Sequence, residues 1–229
     1  MTTEELRPVA RPATAAPPHP RPPAVGTVPG PPVAPTGGGA FDAVARKLGR
    51  AAPAGHDWAA DAAGERQVAR ALDPLEVDGI VVLHDRRVRG ARSTIDHLVV
   101  GPMGIYVIDT KRYAARRVEV RETGGLRARD PRLFVGGRDA MKLIQAAVRL
   151  RRMVERRVGE RVAALGGGVT PVLCFADAEW NPFVRSFQVD GVAIESPRTI
   201  AMRCRRIGPL DADAIGGLTD LLDDEFPTR

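Results

Sequence analysis

Three charges interrupt the most apolar stretch of the chain. Residues 93–113 read STIDHLVVGPMGIYVIDTKRY: β-branched and apolar residues on either side of a Gly-Pro, with Asp96, Asp109 and Lys111 among them. A charge in such a run is costly unless it is paired or bound to a metal. If two strands meet at a turn over Pro102-Met103, Gly101 faces Gly104 and Val100 faces Ile105, and the same register sets Asp96 across from Asp109. Directly opposed residues have Cβ atoms about 4.5–5.5 Å apart. Two carboxylates that close must share a proton or a cation, and their oxygens suit Mg2+, or Mn2+ in its place. Lys111 lies two residues past Asp109, about 6.6–7 Å along the same face. An ammonium there can stabilise an anionic oxygen beside a metal, as phosphodiester hydrolysis requires. Glu65, on the inward side of an earlier helix, can complete the set. The plainer alternative makes Asp109 and Lys111 an exposed ion pair at a strand end and Glu65 ordinary helix surface.

These side chains need a scaffold, and the flanking patterns supply one. Residues 58–72 (WAADAAGERQVARAL) carry Glu65, Val68 and Leu72 at helical spacing, and Asp73-Pro74 ends the helix. Strands are predicted over 79–89, 94–100, 104–112 and 116–122. Residues 138–159 predict a long amphipathic helix with Ile144, Ala147, Leu150 and Val154 inward and arginines outward. The glycines at 166–168 read as its stop. Residues 169–176 (VTPVLCFA) form the near-continuous apolar run of a buried central strand. A short strand at 192–195 and helices over 197–206 and 211–224 close the chain. The order is helix, three or four antiparallel strands, helix, strand, helix, which gives an α/β (α+β) fold with helices on a mixed central sheet. Residues 1–40 hold eleven of the twenty prolines and then Gly-Gly-Gly. Such a composition buries too little apolar surface to order itself. Residues 1–56 are therefore expected to be a disordered Pro/Gly/Ala-rich tail with a short helix over 41–56, open to a protein partner on its Pro-rich runs. The folded domain is expected to span 57–229.

Charge is unevenly placed. Residues 111–161 carry sixteen basic and six acidic groups, a balance of +10, whereas residues 208–229 carry one basic against six acidic. A basic stretch attracts polyanions, here nucleic acid, with DNA placed before RNA. Arg149, Arg152 and Arg156 recur at helical spacing and, with Lys142, are candidates for phosphate contacts; the alternative is a solvated helix face. No apolar run approaches the roughly 20 residues of a membrane span, so no membrane partner is expected. Cys174 and Cys204 have no C-x-x-C spacing, which excludes a disulfide framework and points to a reducing cytoplasm. His97 points away from Asp96 and reads as structural, His84 has no partner at ligand spacing, and no His/Cys pattern suggests zinc. Trp180 reads as packing, with base stacking as its alternative. No P-loop pattern occurs.

The run Ile-Asp-His…Gly-Pro-x-Gly-Ile-Tyr-Val-Ile-Asp-x-Lys at 95–111, with Gly64-Glu65 before it and Gln145-Ala146 after it, resembles the NERD (nuclease-related) domain over about residues 61–176. That family is grouped with restriction-endonuclease-like PD-(D/E)XK enzymes. The resemblance implies that fold and a metal-dependent nuclease. Asp96, Asp109 and Glu65 would be acids of the metal site, Lys111 the catalytic lysine and Gln145 the glutamine of the later helix. The family often carries Glu at the second acid position, where this chain has Asp109. The rival expectation is a non-catalytic nucleic-acid-binding or scaffold module on the same fold.

Overall fold

A computed structural model describes residues 58–91, 93–123, 130–181 and 186–229. The expected tail over 1–56, with its helix at 41–56, lies outside the described residues. Helix α1 (Trp58–Leu72) runs into a 3-10 turn at Asp73–Asp78, as Asp73-Pro74 predicts. Strands β1 (Val81–Arg87), β2 (Thr94–Gly101) and β3 (Gly104–Arg112) follow, then β4 (Arg117–Thr123), β5 (Asp130–Val135) and β6 (Arg138–Asp139). Helix α2 (Met141–Ala164) leads to β7 (Gly168–Ala176), β8 (Glu179–Trp180), β9 (Phe187–Val189) and β10 (Val192–Glu195). Helices α3 (Ile200–Cys204) and α4 (Ala212–Glu225) come last.

The main sheet has the order β1-β2-β3-β7-β10-β9. β1, β2 and β3 are antiparallel neighbours, β3, β7 and β10 run parallel, and β9 returns antiparallel. β7 is therefore central, and residues 172–176 of it are buried throughout. Period-two alternation sorts the strands onto two helical layers. On one face Val82, Val99, Tyr106, Ile108 and Cys174 pack against Val68 and Leu72 of α1 and Ile200 and Cys204 of α3. On the other, Leu98, Val100, Ile105 and Val107 meet Val154, Val158 and Val162 of α2 and Leu218 and Leu222 of α4. Each such large side chain contributes about 1.5–3 kcal/mol when fully buried.

Two expectations change. The strand expected at 116–122 does not extend the main sheet. It is β4 of a second sheet ordered β6-β5-β4-β8, packed through Val118, Leu133 and Val135 onto Leu173, Phe175 and Ile144. Helix α2 begins at Met141 rather than 138, because Gly136 and Gly137, both at positive φ, turn β5 back into β6. It also runs past Gly159 to 164. There the Gly166 and Gly167 amides close on the Ala163 and Val162 carbonyls, which is the glycine stop expected at 166–168.

Candidate active site

The hairpin register follows from its turn. Pairs run from Gly101↔Gly104 through Val100↔Ile105 to His97↔Ile108. Asp96 and Asp109 are next in that register, and there the β2–β3 ladder ends. Asp96 Oδ2 instead accepts the Thr110 amide at 2.7 Å. On its other side the β1–β2 ladder pairs His84↔His97 and resumes at Arg86↔Ile95. The skipped residue, Asp85, faces Asp96 in register and holds a left-handed φ of 50°. Its carbonyl accepts the Arg229 amide at 2.9 Å. β2 is thus released by both neighbours at Asp96, while β3 continues beside β7 to Arg112↔Ala176.

Alternation puts Asp96, Asp109 and Lys111 on the face covered by α2 and α4. Asp109 is 9% exposed, and Lys111 Nζ donates to its Oδ1 at 2.7 Å. Burial, then the charges of Asp109 and Glu65, push the Asp96 carboxyl up to about 7, against the pull of the Thr110 amide and Lys111. Burial draws the Lys111 ammonium down, but the charge and hydrogen bond of Asp109 more than offset it, so its pKa ends above the ordinary value. Lys111 is therefore a cation at neutral pH.

Glu65 arrives from the opposite layer. Gly64 lets α1 approach this end of the sheet: a Cβ there would sit 3.1 Å from the Arg112 Cβ and 3.4 Å from that of Ala176. Burial raises the Glu65 carboxyl, Asp85 raises it further and Arg229 opposes. Glu65 acts on Asp96 as a charge. Among the described residues no three His, Cys, Asp or Glu side chains gather closely enough to hold one metal ion. The donors that the structure brings together are the pair Asp96 and Asp109. Mg2+ commonly uses only one or two carboxylates and completes its shell with water and phosphate, so the donor set fits a hard divalent cation.

Gln145 is exposed. It shares one outward stripe of α2 with Lys142, Arg149, Arg152 and Arg156, opposite the buried Ile144, Ala147 and Val154. Among the described residues those three arginines form no ion pair, whereas Arg151 binds Glu155 and Arg157 binds Glu225. Trp180 stacks on Phe187 at 6.1 Å and meets Phe175 edge-on, which is a packing role.

Several polar groups escaped the sequence reading. Asp85 was hidden because nothing in HDRR announces a break in the ladder. His84 does have a partner: its Nδ1 lies 2.7 Å from His97 Nδ1, and its Nε2 lies 3.1 Å from Asp73 Oδ1. The pairing follows from β1–β2 register, which had no two-residue turn to fix it. Glu195, 1% exposed, is held by Arg203 and Ser186.

A sequence model of the NERD family, described as nuclease-related domain, matches residues 60–176. Comparison with curated proteins and with solved structures returned no match.

Proposed function

The chain belongs to the NERD (nuclease-related domain) family, and from that premise we propose that it is a metal-dependent nuclease with a restriction-endonuclease-like PD-(D/E)XK site. One observation carries the reading: Asp96, its carboxyl pushed up to about 7, lies beside Asp109 where the sheet opens, with Lys111 at 2.7 Å from Asp109. Asp96 and Asp109 would hold Mg2+ or Mn2+, and Glu65 adds negative charge beside them. A divalent cation bound there supplies Lewis-acid activation of water and neutralises phosphate charge. Lys111 keeps its proton at Nζ at neutral pH and offers it to charge developing on the phosphate or attacking oxygen. Lys142, Gln145, Arg149, Arg152 and Arg156 face solvent along about 21 Å of helix, the length of about six nucleotides of one strand. That stripe grips the phosphate backbone, and its contacts carry no base information.

The test is Mn2+ titration by calorimetry, with wild type beside Asp96→Ala, followed by cleavage assays on DNA and RNA. Binding and cleavage by wild type alone support the nuclease. Silence in both, with and without a short oligonucleotide, refutes it. A second reading has its own observation: the Asp109–Lys111 ion pair already neutralises one acid of the pair. A non-catalytic nucleic-acid-binding module would bind DNA in a salt-sensitive way without metal and without cleavage.

A further inference from the structure

Behind the acid pair, on the α1 side of the sheet, two buried polar atoms have no hydrogen-bond partner among the described residues: His97 Nε2 and Thr110 Oγ1. They belong to the residues that directly follow Asp96 and Asp109. His97 is 3% and Thr110 8% exposed. Leaving such groups unsatisfied is costly enough that buried polar atoms nearly always have a protein or water partner.

Their positions suggest one shared partner. His97 stands across from Ile108. Thr110 is the next residue on the same face of β3 as Ile108, so it is the diagonal neighbour of His97, about 7–8 Å away with the Cβ atoms somewhat closer. The two atoms make no hydrogen bond to each other, and the diagonal spacing suits one intervening water. The donor pattern agrees. The Asp73 carboxylate can only accept, so His84 Nε2–H donates to it. His84 Nδ1 and His97 Nδ1 then share one hydrogen bond of 2.7 Å. His97 Nε2 is left without a partner among the described residues, and a water can serve it as donor or acceptor.

We propose that His97 Nε2 and Thr110 Oγ1 bind one buried water between β2, β3 and α1. It ends a hydrogen-bonded chain running from surface Asp73 through His84 and His97 to Thr110. Because the Thr110 amide also holds Asp96, His97 and Thr110 are positioning residues for the acid pair.

Thermal unfolding of the full chain and of Thr110→Val, Thr110→Ser, His97→Phe and the Val/Phe double variant tests this. Thr110→Val removes the hydroxyl at nearly constant volume. A bridging water predicts a midpoint lowered by about 2–4 °C, near wild-type behaviour for Thr110→Ser, and a double variant less destabilised than the sum of the two single ones. An isolated hydroxyl predicts that Thr110→Val raises the midpoint; that result, or strict additivity with His97→Phe, overturns the proposal. A crystal structure must also show a water within hydrogen-bond reach of both atoms, and its absence is equally fatal. Mn2+ affinity separates positioning from packing: Thr110→Val weakens it several-fold in folded protein, and Thr110→Ser restores it. Unchanged affinity in folded Thr110→Val refutes the positioning role. Failure of wild type to bind Mn2+ sinks the nuclease reading instead and leaves the stability cycle to decide the water.

Discussion

Asp96→Asn should make the protein more stable, by a margin that is absent near pH 4 and complete above pH 7. The side chain keeps its shape, and its amide oxygen can still accept the Thr110 N–H, so the change isolates the charge. Asp96 goes from an ordinary 3.8 to about 7 on folding. Between those values the folded state keeps a proton that the unfolded chain has released, so stability falls as pH rises through 7. At about 1.4 kcal/mol per tenfold change, the loss approaches about 4 kcal/mol by pH 8 as a ceiling. His97 works in the opposite sense. Its folded value of about 3 lies below its ordinary 6.5, so it contributes stability that is lost as pH falls through that window. The wild-type profile alone therefore mixes two opposed slopes. The difference between Asp96→Asn and wild type removes the His97 contribution, which both proteins share. Urea unfolding from pH 4 to 8 without metal should give nearly equal stabilities near pH 4, an advantage for Asn that widens from there to about pH 7, and a plateau above it. Mn2+ at 1,000 times its Kd at pH 8 should close the gap, since it adds about 4.1 kcal/mol to wild type. A difference that stays constant with pH, or an Asn variant less stable at pH 8, refutes the assignment of Asp96 as a destabilising buried acid.

Lys111→Gln should abolish cleavage while leaving oligonucleotide binding largely intact; it also leaves the Asp109 carboxylate without its cation, so unfolding should show a loss of about 1–3 kcal/mol. Replacing Arg149, Arg152 and Arg156 together by Gln should lower DNA affinity and reduce the slope of log K against log salt by about 2.7, measured by fluorescence anisotropy between 50 and 200 mM salt. Gly64→Val would force a side chain against Arg112 and Ala176; lifting α1 should cost about 1–3 kcal/mol and weaken any contribution of Glu65 to metal binding.

The hairpin was legible because two rules sufficed. A two-residue turn leaves one register, and alternation then assigns each side chain to a face, so Asp96, Asp109 and Lys111 could be placed together from spacing alone. β7 was legible because a strand buried on both faces must be apolar throughout. The second sheet was harder to read. β6 has only two residues, and Arg138-Asp139 reads as the polar start of a helix unless the Gly136-Gly137 turn is given priority; consecutive positive-φ glycines between Val135 and Arg138 were the available signal. The His84–His97 contact depended on β1–β2 register, and the connection between those strands is too long to set it by inspection. The placement of Glu65 was missed for a different reason: helical spacing says which residues face inward, but not which side of the sheet the helix covers.

The charges on the best strands now have individual explanations. Asp109 has Lys111. Asp96 takes an amide that the interrupted ladder would otherwise leave without its strand partner, and the carbonyl of Asp85 on the other side takes Arg229. Backbone polar groups freed where β2 parts from its neighbours are thereby satisfied. None of this requires a carboxylate at position 96. An asparagine would accept the same Thr110 N–H without burying a negative charge beside Asp109 and Glu65. Folding alone therefore favours the amide, and the acid carries a standing electrostatic cost at neutral pH. A cation between Asp96 and Asp109 removes that cost, because it converts the like-charge repulsion that lifts the Asp96 pKa into attraction. The Asn comparison without and with Mn2+ reads that reversal directly.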